Sequence, residues 1–341
     1  MTGDLTRRLV SLAIAAAVLA SAVLLVGCGA KKEQTEPGGL VPFELMLDYF
    51  PNADHAAIYA AQSQGYFKQA GLDVKIRTPN DPSVPIKQVA AGRVDLAISY
   101  EPELLRARDD GLSVISVGAL VQKPLTSIIS LNKPAITRPS QLAGQTVGTA
   151  GIDYQSAYLK TILAHAHVDP STVKERNVGF NLVPALVSHK VNAILGGYWN
   201  YEAVQLRLAK KRPHVLRLDQ AGVPSYNELV FVANADGLDQ NGQNIRRFLG
   251  ALSRGVRFLK RDQGAAVDAL LKANPDLDPK LQRASVQVTL PTFLPPAGKP
   301  FGWQDPAQWA AFATWMHQNG ILKGSSATGA FTNQELPGQG L

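Results

Sequence analysis

Between residues 43 and 233 the chain alternates short apolar runs with stretches of helical spacing. Residues 43–50 (FELMLDYF) read as a strand, and residues 54–71 (DHAAIYAAQSQGYFKQAG) as one helix. That helix carries Ile58, Ala61, Gly65 and Tyr66 along one face and stops at Gly71. LDVKIRT comes next as a strand, with Leu72, Val74 and Ile76 in alternation. Residues 84–92 form a short helix closed by Gly92; 94–100 a strand; 101–111 a helix; 113–120 a strand. A second series begins near Lys133. Residues 145–151, 175–180, 191–197 and 214–218 read as strands, and residues 153–166, 182–190 and 200–211 as helices. Residues 227–233 (NELVFVA) look like a returning strand, and the remainder of the chain is largely helical. The last helix has Asp305 as cap and Pro306 in its first turn. Trp309, Phe312, Ala313 and Met316 make its apolar stripe, and Gly320 stops it. Repeated β-α-β units predict an α/β fold with parallel sheets and right-handed crossovers.

The two series echo one another. GRVDLAISYEPELL and HKVNAILGGYWNYEAV each run from a helix end through an apolar strand into aromatic and acidic residues, where the next helix starts. Open α/β sheets bind ligands at the carboxyl ends of their strands. Two such turns facing each other predict a cleft between two lobes, a common place for a small ligand.

Composition adds a leader and a tether. The chain has 341 residues, 45% of them hydrophobic and 18% charged, which is globular and long enough for two packed domains. Residues 1–27 place Arg7 and Arg8 before an apolar run that ends LLVGC. This is the order of a secretory leader, and the small residues before Cys28 resemble a bacterial lipobox. The expectation is removal of the leader and lipidation of Cys28, rather than a spanning anchor, for which the run is also long enough. Cys28 is the sole cysteine, so lipidation leaves no disulfide, thiol nucleophile or cysteine metal site. Residues 28–42 read as a flexible tether, and residues 323–341 as a disordered tail.

The net charge of +7 is scattered, and the densest run beyond the tether, Lys210 to His214, reads as a solvated helix end. Nucleic-acid binders gather charge on one face with stacking aromatics, so no nucleic-acid partner is expected. No Walker loop, Gly-x-Ser-x-Gly or His-Glu-x-x-His is present. His165 and His167 lie two apart and do not share a helix face. No catalytic residue, cofactor or metal is assigned.

The candidate chemistry sits on the strand ends. Asp48, Tyr49, Asn52 and His55 come from the first turn. Ser99, Tyr100 and Glu101 come from the third strand, and Tyr154 from a helix start. Tyr198, Trp199, Asn200, Tyr201 and Glu202 form the second-series turn, and Tyr226 precedes the returning strand. The twelve residues expected to contact ligand are these without Tyr198 and Tyr201. Aromatic rings offer flat walls to a planar ligand. Carboxylates and Asn meet its donors and acceptors in plane. Asn52 or Asp54 also suits a helix cap, and Tyr59 and Tyr66 suit packing at the core edge.

The run LDYFPNADHAAIYAAQSQGYFKQAGLDV, with GRVDLAISYEPELL and GGYWNYEAV behind a lipobox, resembles the NMT1/THI5-like solute-binding proteins of ABC importers. The likeness covers most of residues 43–322, and PNADH with YWNYE is most similar to the binders of thiamine-pyrimidine precursors. It implies a two-lobed, type II periplasmic-binding-protein-like fold: lobe I from residues 43–124 and 227–322, lobe II from 125–226, ligand between them. Asp48, Tyr49 and Asn52 would face Trp199 and Glu202. It implies a monomeric, lipid-anchored, extracytoplasmic receptor that closes on its solute and docks on a permease driven by an ATPase. Alternatives are another solute (a sulfonate, nitrate or riboflavin-like compound) or an enzyme of pyrimidine metabolism. The family's yeast pyrimidine synthase carries a cysteine-rich motif that this chain lacks, which argues against synthase activity.

Overall fold

The computed structural model describes residues 39–338. The expected leader, the Cys28 lipidation site and tether residues 28–38 lie outside the described residues. Among the described residues, ten strands form two five-stranded sheets flanked by helices. The first sheet has the order β2-β1-β3-β10-β4: β1 Val41–Met46, β2 Leu72–Arg77, β3 Leu96–Ser99, β4 Val114–Val121 and β10 Leu229–Asn234. The second has the order β7-β6-β8-β5-β9: β5 Thr126–Ser130, β6 Thr146–Thr149, β7 Lys174–Asn177, β8 Ala193–Tyr198 and β9 His214–Arg217. The chain therefore builds four strands of one sheet, crosses to build the whole of the other, and returns as β10.

The burial of each strand follows its place. β2 is an edge strand and alternates, with Leu72 and Val74 buried and Asp73 and Lys75 exposed. β3 is central and wholly buried, and β10 is buried except at Asn234. Both sheets are mixed, where the β-α-β pattern predicts parallel ones. β1 and β3 run parallel, as do β6 with β7 and with β8. The strand after each crossing is antiparallel to both neighbours: β10 to β3 and β4, β5 to β8 and β9.

Three further expectations are corrected. β5 lies where the sequence predicts only connecting chain. All five of its residues are buried, so it shows no alternation to read. The single helix expected over 54–71 is a 3-10 turn (Ala53–His55) and two helices, Ala56–Ser63 and Tyr66–Gln69, broken where Gly65 takes φ of 68°. The tail from Lys323, expected to be disordered, packs on the first sheet over residues 330–336. Ser116 on the edge strand β4 donates its N–H to Ala330 O and accepts from Thr332 N. Phe331 stacks on Trp309 at 5.0 Å. Glu335, only 6% exposed, pairs with Arg246 at 2.5 Å. An open sheet edge presents unpaired backbone groups, and the tail covers this one.

Behind the first sheet lies the 24-residue helix Leu238–Arg261. Ile245, Phe248, Leu249, Leu252, Val256 and Leu259 recur at helical spacing and are all buried. Phe248 stacks on Phe43 and Phe67, at 5.2 and 5.1 Å. Gly255 lets this helix meet helix Ala56–Ser63 closely, since a Cβ there would lie 2.4 Å from the Ala57 carbonyl oxygen.

The two crossings, residues 122–125 and 218–228, are pinned together. Glu228, fully buried, accepts from the backbone N–H of Leu125 (2.6 Å) and Thr126 (2.8 Å), from Thr126 Oγ1 (2.7 Å) and from Tyr226 OH (3.1 Å). Glu101 accepts from the backbone N–H and the side-chain amide of Asn227, both at 2.7 Å, and from the Gln308 amide. An aromatic seam runs beside these pins. Tyr154 and Tyr158, from helix Asp153–His165, meet Tyr100 (5.5 Å from Tyr154), Tyr226 (5.9 Å from Tyr158) and Trp315 (6.0 Å from Tyr158).

Candidate functional site

A cleft opens where the carboxyl ends of β1, β3, β6 and β8 converge. Asp48, Tyr49 and Asn52 reach it from the turn after β1, and Tyr100 from the end of β3. From the other sheet come the segment after β6 and helix Asp153–His165, with Ile152, Tyr154 and Gln155, and the end of β8, with Tyr198, Tyr201 and Glu202. None of its lining residues is Lys or Arg.

Asp48 is 2% exposed and held from two sides. His55 Nε2 lies 2.9 Å from Oδ1, and Tyr100 OH donates to Oδ2 at 2.9 Å. The Asn52 backbone N–H donates to His55 Nδ1 at 3.2 Å. Nδ1 therefore carries no proton, and Nε2–H donates to Asp48. Asn52 closes the same turn, its side-chain oxygen accepting from Asp54 N at 2.8 Å, a reciprocal capping box with His55. The dense polar turn DYFPNADH is thus a preorganised mount for one cleft-facing carboxylate.

Glu202 faces it from the second sheet. It heads helix Glu202–Leu208 and accepts from the Tyr198 backbone N–H at 2.7 Å. Burial raises its pKa to about 7 against the lowering of its backbone hydrogen bonds, and the Asp48 charge adds to the rise. Burial, then the charges of Glu202 and Asp48, push the Tyr49 phenol up. Such a cleft stabilises a cationic or donor-rich guest and repels an anion.

Tyr49 packs edge-on against Phe180 at 4.6 Å, and with Tyr201 it gives the cleft flat apolar walls.

Six of the twelve residues expected to contact ligand line this cleft: Asp48, Tyr49, Asn52, Tyr100, Tyr154 and Glu202. The structure places the other six elsewhere. His55 stands behind Asp48 with no exposed surface. Ser99 bonds Glu103 at 2.5 Å. Glu101 and Tyr226 belong to the crossings, because their polar atoms are taken by Asn227 and Gln308 and by Glu228. Trp199 donates from Nε1 to Pro124 O at 3.0 Å, and Arg217 lies over its ring. Asn200 is fully buried and donates to Asp54 Oδ1 and Thr289 Oγ1, both at 2.7 Å. It joins the turn after β1 to the turn after β8 without reaching the cleft. Asp54 Oδ2 and Asn200 Oδ1 have no partner among the described residues, and burial raises the Asp54 pKa to about 7.

Sequence reasoning missed Gln155, Ile152, Leu182 and Gly196, which also line the cleft. One signal was available. Adjacent glycines within a strand, Gly196 and Gly197, mark a bulge, and the β5–β8 register indeed skips Gly196.

Residues 52–266 match the family described as NMT1/THI5 like. A formylaminopyrimidine-binding protein of Halalkalibacterium halodurans is 32% identical, over 89% of this chain and 92% of its own. A 4-amino-5-hydroxymethyl-2-methylpyrimidine phosphate synthase of Saccharomyces cerevisiae is 27% identical, over 71% and 74%. Among solved structures, the alkanesulfonate-binding protein SsuA of Xanthomonas axonopodis pv. citri superposes with a TM-score of 0.66 at 18% identity, covering 87% of this chain and 99% of that one. Two mixed sheets joined by paired crossings and a cleft at their strand ends are the type II periplasmic-binding-protein architecture. By the extent of both matches, this chain belongs to the NMT1/THI5-like family.

Proposed function

We propose that this protein is the extracytoplasmic solute-binding subunit of an ABC importer and captures a thiamine-pyrimidine precursor of the formylaminopyrimidine or hydroxymethylpyrimidine type. The observation that carries this reading is the cleft's chemistry. It has carboxylates from both sheets, Asp48 and Glu202, tyrosine walls and no lysine or arginine. An aminopyrimidine offers a flat ring and an amino donor beside ring-nitrogen acceptors; once a ring nitrogen is protonated, that edge donates two N–H bonds to one carboxylate, and charge-assisted pairs are the strong ones. A sulfonate or nitrate needs cationic or backbone N–H donors, and two carboxylates disfavour it. The relative named as a formylaminopyrimidine-binding protein supports the same class.

Capture works by closure. Groups from both lobes contact the guest, so it favours the closed arrangement by no more than its differential affinity for the two states. Lipidation at Cys28 would hold the receptor at the membrane, where the closed form docks on a permease and an ATPase drives release.

The test is calorimetric titration of the full chain in detergent with formylaminopyrimidine, hydroxymethylpyrimidine, taurine and riboflavin. A pyrimidine is expected to bind at micromolar Kd or tighter, about −8 kcal/mol, and the others far more weakly. Preference for taurine, or binding of none, defeats the assignment. Conversion of the pyrimidine to a product without partner proteins would move the chain to the synthase side of its family.

A further inference from the structure

Gln155 is the one side-chain amide other than Asn52 that lines the cleft, and the carboxylate chemistry of the site does not use it. It is 2% exposed, and its orientation is fixed. The Ala150 backbone N–H donates to Oε1 at 2.8 Å, which places the NH₂ group on the opposite side. That group lies against Gly196, where a Cβ would come within 2.4 Å of Nε2. Gly196 holds φ at 101°, a conformation that glycine adopts without strain. It is also the residue that the β5–β8 ladder skips, between Ser127 opposite Gly197 and Ile128 opposite Leu195. A bulge of this kind re-aims a strand beside a site. Here the space that a Cβ would fill is taken by the Gln155 amide, from the first turn of helix Asp153–His165. The NH₂ group carries two hydrogens, and the neighbouring Tyr154 oxygen takes at most one of them.

We propose that the Gln155 amide, seated in the Gly196 bulge, donates to an acceptor substituent on the ligand and so selects among aminopyrimidines by their side arm. This rests on the reading of the cleft as an aminopyrimidine site and divides its labour. Asp48 and Glu202 accept from the ring's donor edge, and Gln155 supplies a donor for a carbonyl or hydroxyl oxygen. A formyl oxygen fits that requirement, and a bare methyl or hydrogen at the same place leaves a buried donor unpaired, which is the arrangement that discriminates most strongly.

The experiment compares two ligands: formylaminopyrimidine, and 2-methylpyrimidin-4-amine, which keeps the amino ring and lacks the arm. Both are titrated into the full chain in detergent, as wild type, Gln155→Met and Gly196→Ala. Gln155→Met keeps the side-chain length and removes the donor. Gly196→Ala puts a Cβ against Nε2 and dislodges the amide while Gln155 itself stays. The wild-type preference for the formylated ligand is expected to fall at least about tenfold in each variant, through weaker binding of that ligand. An unchanged ratio, with both ligands weakened alike or neither affected, overturns the assignment, because a merely structural Gln155 would not sense the arm. Wild-type protein that binds neither pyrimidine overturns the aminopyrimidine reading itself, which is a distinct failure.

Discussion

Replacing Glu228 with leucine tests whether the crossings are held by acceptor geometry. Glu228 has no exposed surface and receives four hydrogen bonds, two of them from the backbone N–H groups of Leu125 and Thr126. Leucine fills similar space and accepts nothing. Each buried N–H left unpaired costs about 1–3 kcal/mol, so the two together cost roughly 2–6 kcal/mol. The Thr126 and Tyr226 hydroxyls add less, because they rotate toward other acceptors. Glutamine behaves differently. Its oxygen serves both N–H groups from the Oε2 position, and its NH₂ donates to Thr126 Oγ1, which accepts as readily as it donates. Burial already pushes the Glu228 pKa up, against the lowering of its hydrogen bonds. The protonated acid presents the same pattern as the amide.

Glu228→Gln should therefore stay within about 1 kcal/mol of wild type, and Glu228→Leu should lose about 4 kcal/mol, the middle of that range. Urea unfolding followed by tryptophan fluorescence measures both, with the slope checked for constancy. Two results refute the reasoning. A leucine variant within about 1 kcal/mol of wild type means that the N–H groups find other partners. A glutamine variant as damaged as leucine means that the charge, rather than the acceptor pattern, holds the crossings.

Glu202→Ala should weaken aminopyrimidine binding by about tenfold or more, as loss of a charged acceptor does. Tyr66→Ala, where Arg254 covers the ring outside the cleft, should leave affinity nearly unchanged; equal effects in calorimetry remove Glu202 from the site. Deleting residues 323–341 uncovers strand β4, and size-exclusion chromatography should then show self-association; an elution volume unchanged from wild type contradicts the edge-cover role. Burial raises Asp54 and Glu103 to about 7 and Glu101 to about 8. The folded state thus binds these protons more tightly than the unfolded chain. Their contribution is complete below the unfolded carboxylate pKa, near 4, and is lost as pH rises through 7–8. The melting temperature should accordingly be higher at pH 5.5 than at 8.5, with the slope reduced in Asp54→Asn; a flat or opposite profile defeats this.

The elements legible in the sequence are those whose own residues carry the signal. In β2, Leu72 and Val74 alternate with exposed neighbours because one face meets water. In the last helix, Asp305 accepts from Ala307 N, and Trp309, Phe312, Ala313 and Met316 are all buried, as their spacing predicts. β5 lacks such a signal because it lies between β8 and β9 and is buried on both faces, Thr126 and Ser127 included. The tail is illegible for a different reason. Its hold on β4 is made by the backbone of Ala330 and Thr332, which any residue could supply, with Phe331 and Glu335 as isolated anchors.

The site shows the same divide. Carboxylates and aromatics at strand ends point to the correct turns, since an open α/β sheet gathers its ligand groups there. Which carboxylates face the cleft is decided by donors that arrive from distant chain. Glu228 meets four, and Glu101 meets the two Asn227 groups and the Gln308 amide. A carboxylate has about four lone-pair positions, so these two are close to saturated and serve the crossings. Asp48 receives one bond on each oxygen, and Glu202 receives two, from the backbone N–H groups of Tyr198 and of Glu202 itself. They keep accepting capacity, and they line the cleft. The donors that saturate Glu101 come from Asn227 and Gln308, 126 and 207 residues away. No local pattern around SYEPE distinguishes it from the cleft-facing Glu202 in WNYEA. The distinction exists only after the crossings have brought Asn227 beside Glu101, so an acidic residue at a strand end is a ligand candidate until its donors have been counted.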